Sequence, residues 1–155
     1  GEPSHRGLEY ELRWRPLKAL ELGAAGTFAR HRYEFSRAVE GGEFIADGND
    51  VDTAPRQLHR AGLRWDAADR LALEAEWLVV GEYWLDAANA HRYPGHELLN
   101  LRGRWQLAPE WAVTLRLTNA LDRDYADRAD FAFGSYRYFP GRGRALFAEV
   151  VWARP

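Results

Sequence analysis

Covalent chemistry needs a nucleophile beside a base, a matched pair of carboxylates or a set of metal ligands, and each can be sought by residue type and spacing. The serines are Ser4, Ser36 and Ser135, none of them in a Gly-x-Ser-x-Gly elbow. Cysteine is absent, which removes thiolate nucleophiles, thiolate metal sites and disulfides together. Glu74 and Glu76 stand at i, i+2 on one face of an extended stretch and could imitate an acid and base pair. Arg60 and Arg64 on the preceding stretch oppose them, and a salt-bridge ladder is the simpler reading. Of the five histidines only His91 and His96 lie close in sequence, with Tyr93-Pro94 between them, a spacing that fits no common metal motif. The sequence therefore points to no enzyme, no metal site, no cofactor and no Gly-rich phosphate loop. Recognition chemistry is better represented. Tyr33, Phe35, Phe44, Tyr83, Trp84, Tyr93, Phe131, Phe133, Tyr136 and Tyr138 are aromatic groups on or beside irregular segments, and Arg128, Arg137 and Arg142 accompany them. Such rings offer stacking surfaces, and arginines lining a cleft attract an anionic ligand; the same residues also serve as girdle aromatics, loop packing and solvated salt bridges.

The elements that must position these residues are strands. From Leu8 to Arg15 the chain alternates with period two, Leu8, Tyr10, Leu12 and Trp14 on one side and Glu9, Glu11, Arg13 and Arg15 on the other. The pattern recurs through Leu20–Phe28, Ala61–Trp65, Leu71–Tyr83, Leu99–Trp105, Trp111–Leu117 and Leu146–Trp152, which predicts seven strands. Tight turns are expected at Pro16–Ala19, Asp66–Arg70 and Leu107–Glu110, where Pro and Asp cluster. Three long connections, roughly Arg37–Arg56, Trp84–His96 and Ala120–Gly143, carry Gly, Asp, Asn, Tyr and Arg without an evident pattern, and long loops of this kind are usually functional or disordered. Counting outward from the turns pairs Trp14 with Leu20, Leu12 with Leu22, Trp65 with Leu71 and Leu63 with Leu73, and places Arg13 opposite Glu21 and Arg60 opposite Glu76. The third hairpin sets Arg102 against Arg116, two like charges that a shifted register or Glu149 would have to relieve.

Alternation alone does not say which face is wet. Trp14, Trp65, Trp105, Trp111 and Trp152 all fall on the apolar face, at strand ends beside a tight turn or at the C-terminus, and so at one level. A row of indoles is the aromatic girdle of a membrane barrel, with each ring at the boundary of hydrocarbon and water. The charged face, with its cross-strand Arg and Glu, then lines a polar lumen, and short turns at one end with long loops at the other match the periplasmic and extracellular sides of such a barrel. A soluble lipocalin-like binding protein with the apolar face inward is the alternative, and an outer-membrane lipid-modifying enzyme a third reading. The longest apolar run, about Trp77–Gly81, excludes a membrane helix. Across 155 residues, 21 Lys and Arg stand against 23 Asp and Glu, a balance that disfavours nucleic acid as a partner. An odd strand number and a first residue of Gly, with no Met anywhere, are expected of a piece whose N-terminal part lies elsewhere.

The C-terminal third carries a family pattern. Leu117-Thr118-Asn119-Ala120-Leu121-Asp122-Arg123-Asp124-Tyr125, followed by Tyr138-Phe139-Pro140-Gly141-Arg142-Gly143-Arg144 and a last alternating strand, resembles the end of the TonB-dependent outer-membrane receptors. His5-Arg6-Gly7-Leu8-Glu9 and Tyr93-Pro94-Gly95-His96 also look like barrel strands of that family. The resemblance implies an all-β, antiparallel, up-and-down transmembrane β-barrel segment, about seven strands of a plugged barrel of about 22. Residues 1–155 would be its C-terminal portion, without the plug. It implies a bacterial outer-membrane location, outer-membrane lipid as surroundings, and energised uptake of a scarce ligand, most often a ferric siderophore. The TonB energy-transducing complex would be engaged through the missing N-terminal region. Under this resemblance Tyr33, Phe35, Tyr83, Trp84, Tyr93, Arg128, Phe131, Tyr136, Arg137 and Tyr138 are the candidate ligand-binding residues. Asn119, Leu121, Asp122, Tyr125, Pro140, Gly141, Arg142 and Arg144 form the structural motif.

Overall fold

A computed structural model describes residues 1–39 and 43–153, and every regular element in it is a strand. In chain order these are β1 (Pro3–Leu17), β2 (Leu20–Tyr33), β3 (Arg37–Ala38), β4 (Phe44–Ile45), β5 (Gln57–Ala68), β6 (Leu71–Val80) and β7 (Tyr83–Trp84). They continue with β8 (Arg92–Tyr93), β9 (His96–Ala108), β10 (Trp111–Thr118), β11 (Ala126–Ala132), β12 (Ser135–Pro140) and β13 (Ala145–Trp152). The seven long alternating stretches make one antiparallel sheet in the order β1-β2-β5-β6-β9-β10-β13, an up-and-down meander with β1 and β13 at its edges. The three long connections are more ordered than their composition suggests. Each contains a small hairpin, β3–β4, β7–β8 and β11–β12.

The tight turns are two residues long, closed by the pairs Leu17↔Leu20, Ala68↔Leu71 and Trp111↔Ala108. Directly beyond each of them the register slips at a bulge, which adds the twist a curving sheet needs. Shorter turns and bulges correct the pairing expected from the sequence in two hairpins. Trp14 faces Leu22 and Leu12 faces Ala24; Trp65 faces Leu73 and Leu63 faces Ala75; Arg13 meets Gly23 and Arg60 meets Leu78. Each shift is two residues, so every side chain keeps its face. In the third hairpin Arg102 does oppose Arg116. The relief comes from Glu74 on the other side of Arg102, 3.5 Å away, and not from Glu149, which opposes Thr114.

Which face is wet is now visible. The sheet curls around a trough of about 650 Å³ lined by Glu11, Arg13, Glu21, Arg60, Arg64 and Glu74, among others. Arg64 reaches Glu74 at 2.9 Å and Arg60 reaches Glu76 at 3.6 Å, the expected ladder on the concave side, while Glu21 is taken by Arg15 at 2.5 Å and not by Arg13. The other side presents Leu8, Leu12, Trp14, Trp65, Trp105, Leu115, Val150 and Trp152, all largely exposed. Trp111 and Trp152 pair across strands with ring centroids 6.3 Å apart. A lipocalin-like protein would reverse these faces, and that alternative is set aside. Consistent with this, almost all the buried apolar residues among those described lie outside the sheet. Ile45, Tyr83, Leu85, Ala87, Tyr93, Ala126 and Ala129 all lie in the long connections, and Ala112 alone lies on a sheet strand.

Candidate functional site

The three long connections emerge from the same end of the sheet and lock together. Tyr83, Leu85, Tyr93, Ala126 and Ala129 form a core shared by the second and third, with Val80 and Phe131 packed against it. The β7–β8 hairpin is the keystone, because aromatic residues on facing strands place two rings side by side, 5.1 Å apart. The Tyr83 hydroxyl accepts from the Ala129 amide at 3.1 Å, and the Tyr93 hydroxyl from the Ala126 amide at 3.0 Å. Burial pushes the Tyr83 phenol above its ordinary range. The Phe131 amide in turn donates to the Leu85 carbonyl at 2.8 Å.

Asp86 organises the turn of that hairpin. One of its oxygens accepts from the Ala90 and His91 amides at 3.0 Å, and the other meets His91 Nδ1 at 2.9 Å. The imidazole so fixed lies flat on the Phe131 ring, 3.5 Å between centroids. His96 is engaged elsewhere, with Nδ1 3.0 Å from the Tyr93 hydroxyl. Asn89, at φ 57°, ties the second connection to the first. Its Oδ1 accepts from the Asp50 amide at 2.8 Å, and its amide group donates to the Asp50 carbonyl at 2.9 Å. The nearly buried Asp50 carboxylate collects Arg30 at 3.4 Å and Arg56 at closer range. Burial alone would raise the Asp50 carboxyl, but the hydrogen bonds and charge of Arg56, then Arg30, hold it below the usual carboxylate range. Sequence reasoning did not identify Asp50, Asp86 or Asn89 as organising residues. The available signal was Asx-turn chemistry, since Asp and Asn satisfy neighbouring amides and tolerate left-handed backbone.

The third connection holds the family pattern, and its residues knot β10 to the start of β13. Asn119, buried at φ 47°, accepts from the Arg123 amide at 2.9 Å and donates to the carbonyls of Arg123 at 2.9 Å and Arg142 at 3.3 Å. Asp122, at φ 54°, accepts from the Arg144 amide at 3.2 Å and pairs with its guanidinium at 3.3 Å. Gly141 donates to the Tyr125 carbonyl at 2.9 Å, and a Cβ built on Gly141 would lie 2.2 Å from the Tyr125 ring. Pro140 closes β12, Arg142 extends over the Phe147 ring at 5.8 Å, and Leu121 is exposed.

The candidate ligand-binding residues thus divide. Tyr83 and Tyr93 are buried with their hydroxyls engaged, and half-buried Phe131 supports His91. Tyr33 donates to Asp52 at 2.7 Å and packs edge-on against Phe35. Open to the outside are Tyr136 and Tyr138, stacked nearly parallel at 6.1 Å, with Phe133 exposed at the hairpin tip. Trp84 lies under Arg92 at 4.4 Å. Arg128 and Arg137 flank the buried carboxylate of Asp130 at 3.3 and 2.5 Å, two cations against one anion. Phe44 is exposed on β4.

The sequence model of the TonB dependent receptor-like β-barrel family matches residues 1–120. A search by sequence among curated proteins finds no match. By structure the chain is similar to the siderophore receptor PiuA from Acinetobacter baumannii, with a TM-score of 0.80 at 17% identity over 96% of this chain and 22% of that one. It is similar to the ferric yersiniabactin uptake receptor FyuA from Yersinia pestis, with a TM-score of 0.80 at 19% identity over 97% and 23%. It is also similar to the ferric preacinetobactin receptor BauA from Acinetobacter baumannii, with a TM-score of 0.73 at 21% identity over 96% and 22%. The chain therefore spans less than a quarter of the length of these structures. With the match over most of its length, the wet concave face, the apolar outer face and the one-ended loops, this chain belongs to the TonB dependent receptor-like β-barrel family of the bacterial outer membrane.

Proposed function

We propose that this chain is the C-terminal portion of an outer-membrane receptor that takes up a ferric siderophore with energy supplied through TonB. It would contribute wall, lumen lining and one sector of the ligand-capturing mouth, and would carry out no covalent chemistry. The observation that carries this reading is the loop cluster itself. Its buried Tyr83, Tyr93 and Leu85 make a firm base, and the β11–β12 hairpin standing on it presents Tyr136 and Tyr138 for stacking on one face and the cation-rich Arg128–Asp130–Arg137 group on the other, with half-buried Trp84 nearby. Ferric siderophores are bulky and often anionic, and an aromatic and cationic rim suits them. The structures the chain resembles include proteins named as receptors for such ligands. The test is uptake of radiolabelled iron, presented as catecholate, hydroxamate and citrate complexes, by cells carrying the full receptor. Uptake of one class that disappears without TonB and falls in Tyr136→Ala/Tyr138→Ala is the expected result. Uptake of none of them, or uptake indifferent to TonB, would overturn the proposal.

A further inference from the structure

His5 on β1 and His31 on β2 stand apart from the loop cluster and are direct cross-strand partners. Their Nδ1 atoms approach to 2.6 Å, with ring centroids 4.9 Å apart and the planes at 59°. Two-residue alternation sends both to the charged concave side, the side of Glu9, Glu11 and Arg13 on β1. Arg6, Arg30 and Arg32 have the opposite parity and project from the other face. The next rung on the same face, toward the tight turns, pairs Gly7 with Ala29. A Cβ on Gly7 would lie 2.7 Å from the Phe28 carbonyl oxygen and 3.1 Å from the Ala29 Cα, so the two backbones are drawn together there.

Two ring nitrogens converging on one point from a stiff two-strand rung meet the elementary requirement for chelation. A first-row divalent cation holds imidazole nitrogens at about 2.0 to 2.1 Å, which sets adjacent ligand nitrogens about 2.9 to 3.4 Å apart. A small side-chain rotation opens the pair that far. We propose that His5 and His31 form a two-nitrogen site on the inner wall, near the loop end, for a divalent cation of the imidazole-preferring class, Cu²⁺, Ni²⁺ or Zn²⁺, with water completing the coordination. The ring that carries its proton on Nδ1 moves it to Nε2, so both ligands stay neutral as the ion enters. Cu²⁺ binds tightest of the three. This inference goes beyond siderophore uptake and does not depend on which ligand the barrel carries.

The experiment is titration of the full receptor in detergent with copper sulfate, read by electron paramagnetic resonance. The expected wild-type signal is a saturable Cu²⁺ species coupled to two equatorial nitrogens. His5→Gln and His31→Gln should each lose it, while His59→Gln, on the outer face, keeps it. Each variant is first checked for the heat-dependent gel mobility of an assembled barrel. Persistence of the species in both single variants would overturn the site. So would a wild-type spectrum without a two-nitrogen species, an outcome that needs no variant to assemble.

Discussion

Asn119 takes a backbone conformation, φ 47°, that most side chains avoid, and its side chain satisfies one amide and two carbonyls in a place without solvent. Two separable contributions follow. Asn119→Ala strands those partners and adds backbone strain, an expected loss of about 3 kcal/mol in the stability of the folded barrel. Asn119→Gly recovers only the backbone part, about 1 kcal/mol, and should fall between alanine and wild type. Urea unfolding of the reconstituted receptor, followed by tryptophan fluorescence, checks the order. Equal loss in both variants would mean that the hydrogen bonds dominate and the left-handed backbone costs little. Gly141 makes a complementary case, because its partner is a ring and not a dihedral. Gly141→Ala drives a methyl group into Tyr125 and is expected to displace that ring, whose phenol burial holds above its ordinary range. A return of the Tyr125 titration toward the ordinary range, read by ultraviolet difference spectroscopy against Tyr125→Phe, is the measurable consequence. The resemblance singled out these residues, but their sequence spacing did not say what they do. Only the fold reveals that residues 119, 123 and 142 meet.

At the level of elements, the three connections stand or fall on a few buried polar contacts. Tyr83→Phe leaves the fully buried Ala129 amide without its acceptor, a cost of about 1 to 3 kcal/mol confined to the loop cluster. Hydrogen exchange should rise across β11 and β12 and stay unchanged in β5 and β6; protection lost throughout the sheet would contradict that confinement. Asp50 gives the cluster a pH dependence of definite sign. Its carboxyl is depressed in the folded state, so its stabilisation is complete above the unfolded value of about 3.9 and is lost as pH falls through the folded one. Loop protection should therefore drop in acid below about pH 4, and Asp50→Asn should be weaker at neutral pH and lack that component of the acid transition. Of this network the sequence offered only the Asx-turn tendency of Asp and Asn, without the partners. Asp50, Asp86 and Asn89 lie in stretches with no periodicity, and their partners are separated by up to 39 residues in the chain. The sheet strands, by contrast, could be read from alternation alone, because each is half in one environment and half in another. The pairing numbers went astray where bulges beside the turns shift the count without changing faces, and so did two bounds: β6 ends at Val80, with Tyr83 on β7, and β5 extends beyond Ala61–Trp65 to Gln57–Ala68.

The whole molecule is a wall between two solvents, and substitutions should cost according to the side they face. On the concave side Glu74 binds Arg64 at 2.9 Å and Arg102 at 3.5 Å, the latter already opposite Arg116. Removing it with Glu74→Ala concentrates three cations, yet they are partly exposed to a watery lumen, and the expected cost is about 1 kcal/mol or less. Raised salt should shrink that cost further. On the outer side Leu115 lies mid-strand between Gly103 and Ala148, half exposed and ringed by apolar neighbours. Leu115→Arg places a charge in hydrocarbon, at about 2 to 4 kcal/mol near the midplane, and salt offers no relief because the ion has no water to screen it. The five tryptophans supply the depth scale for this contrast. They lie toward the tight-turn end of the strands, so the penalty should decline from Leu115 toward Trp111, where a headgroup is within reach of the arginine. Surface levels of the full receptor carrying Leu115→Arg, Val113→Arg and Trp111→Arg, set beside Glu74→Ala, measure that gradient. A flat profile, or normal assembly of Leu115→Arg, would mean that this face does not meet lipid, and the assignment of inside and outside would have to be reversed.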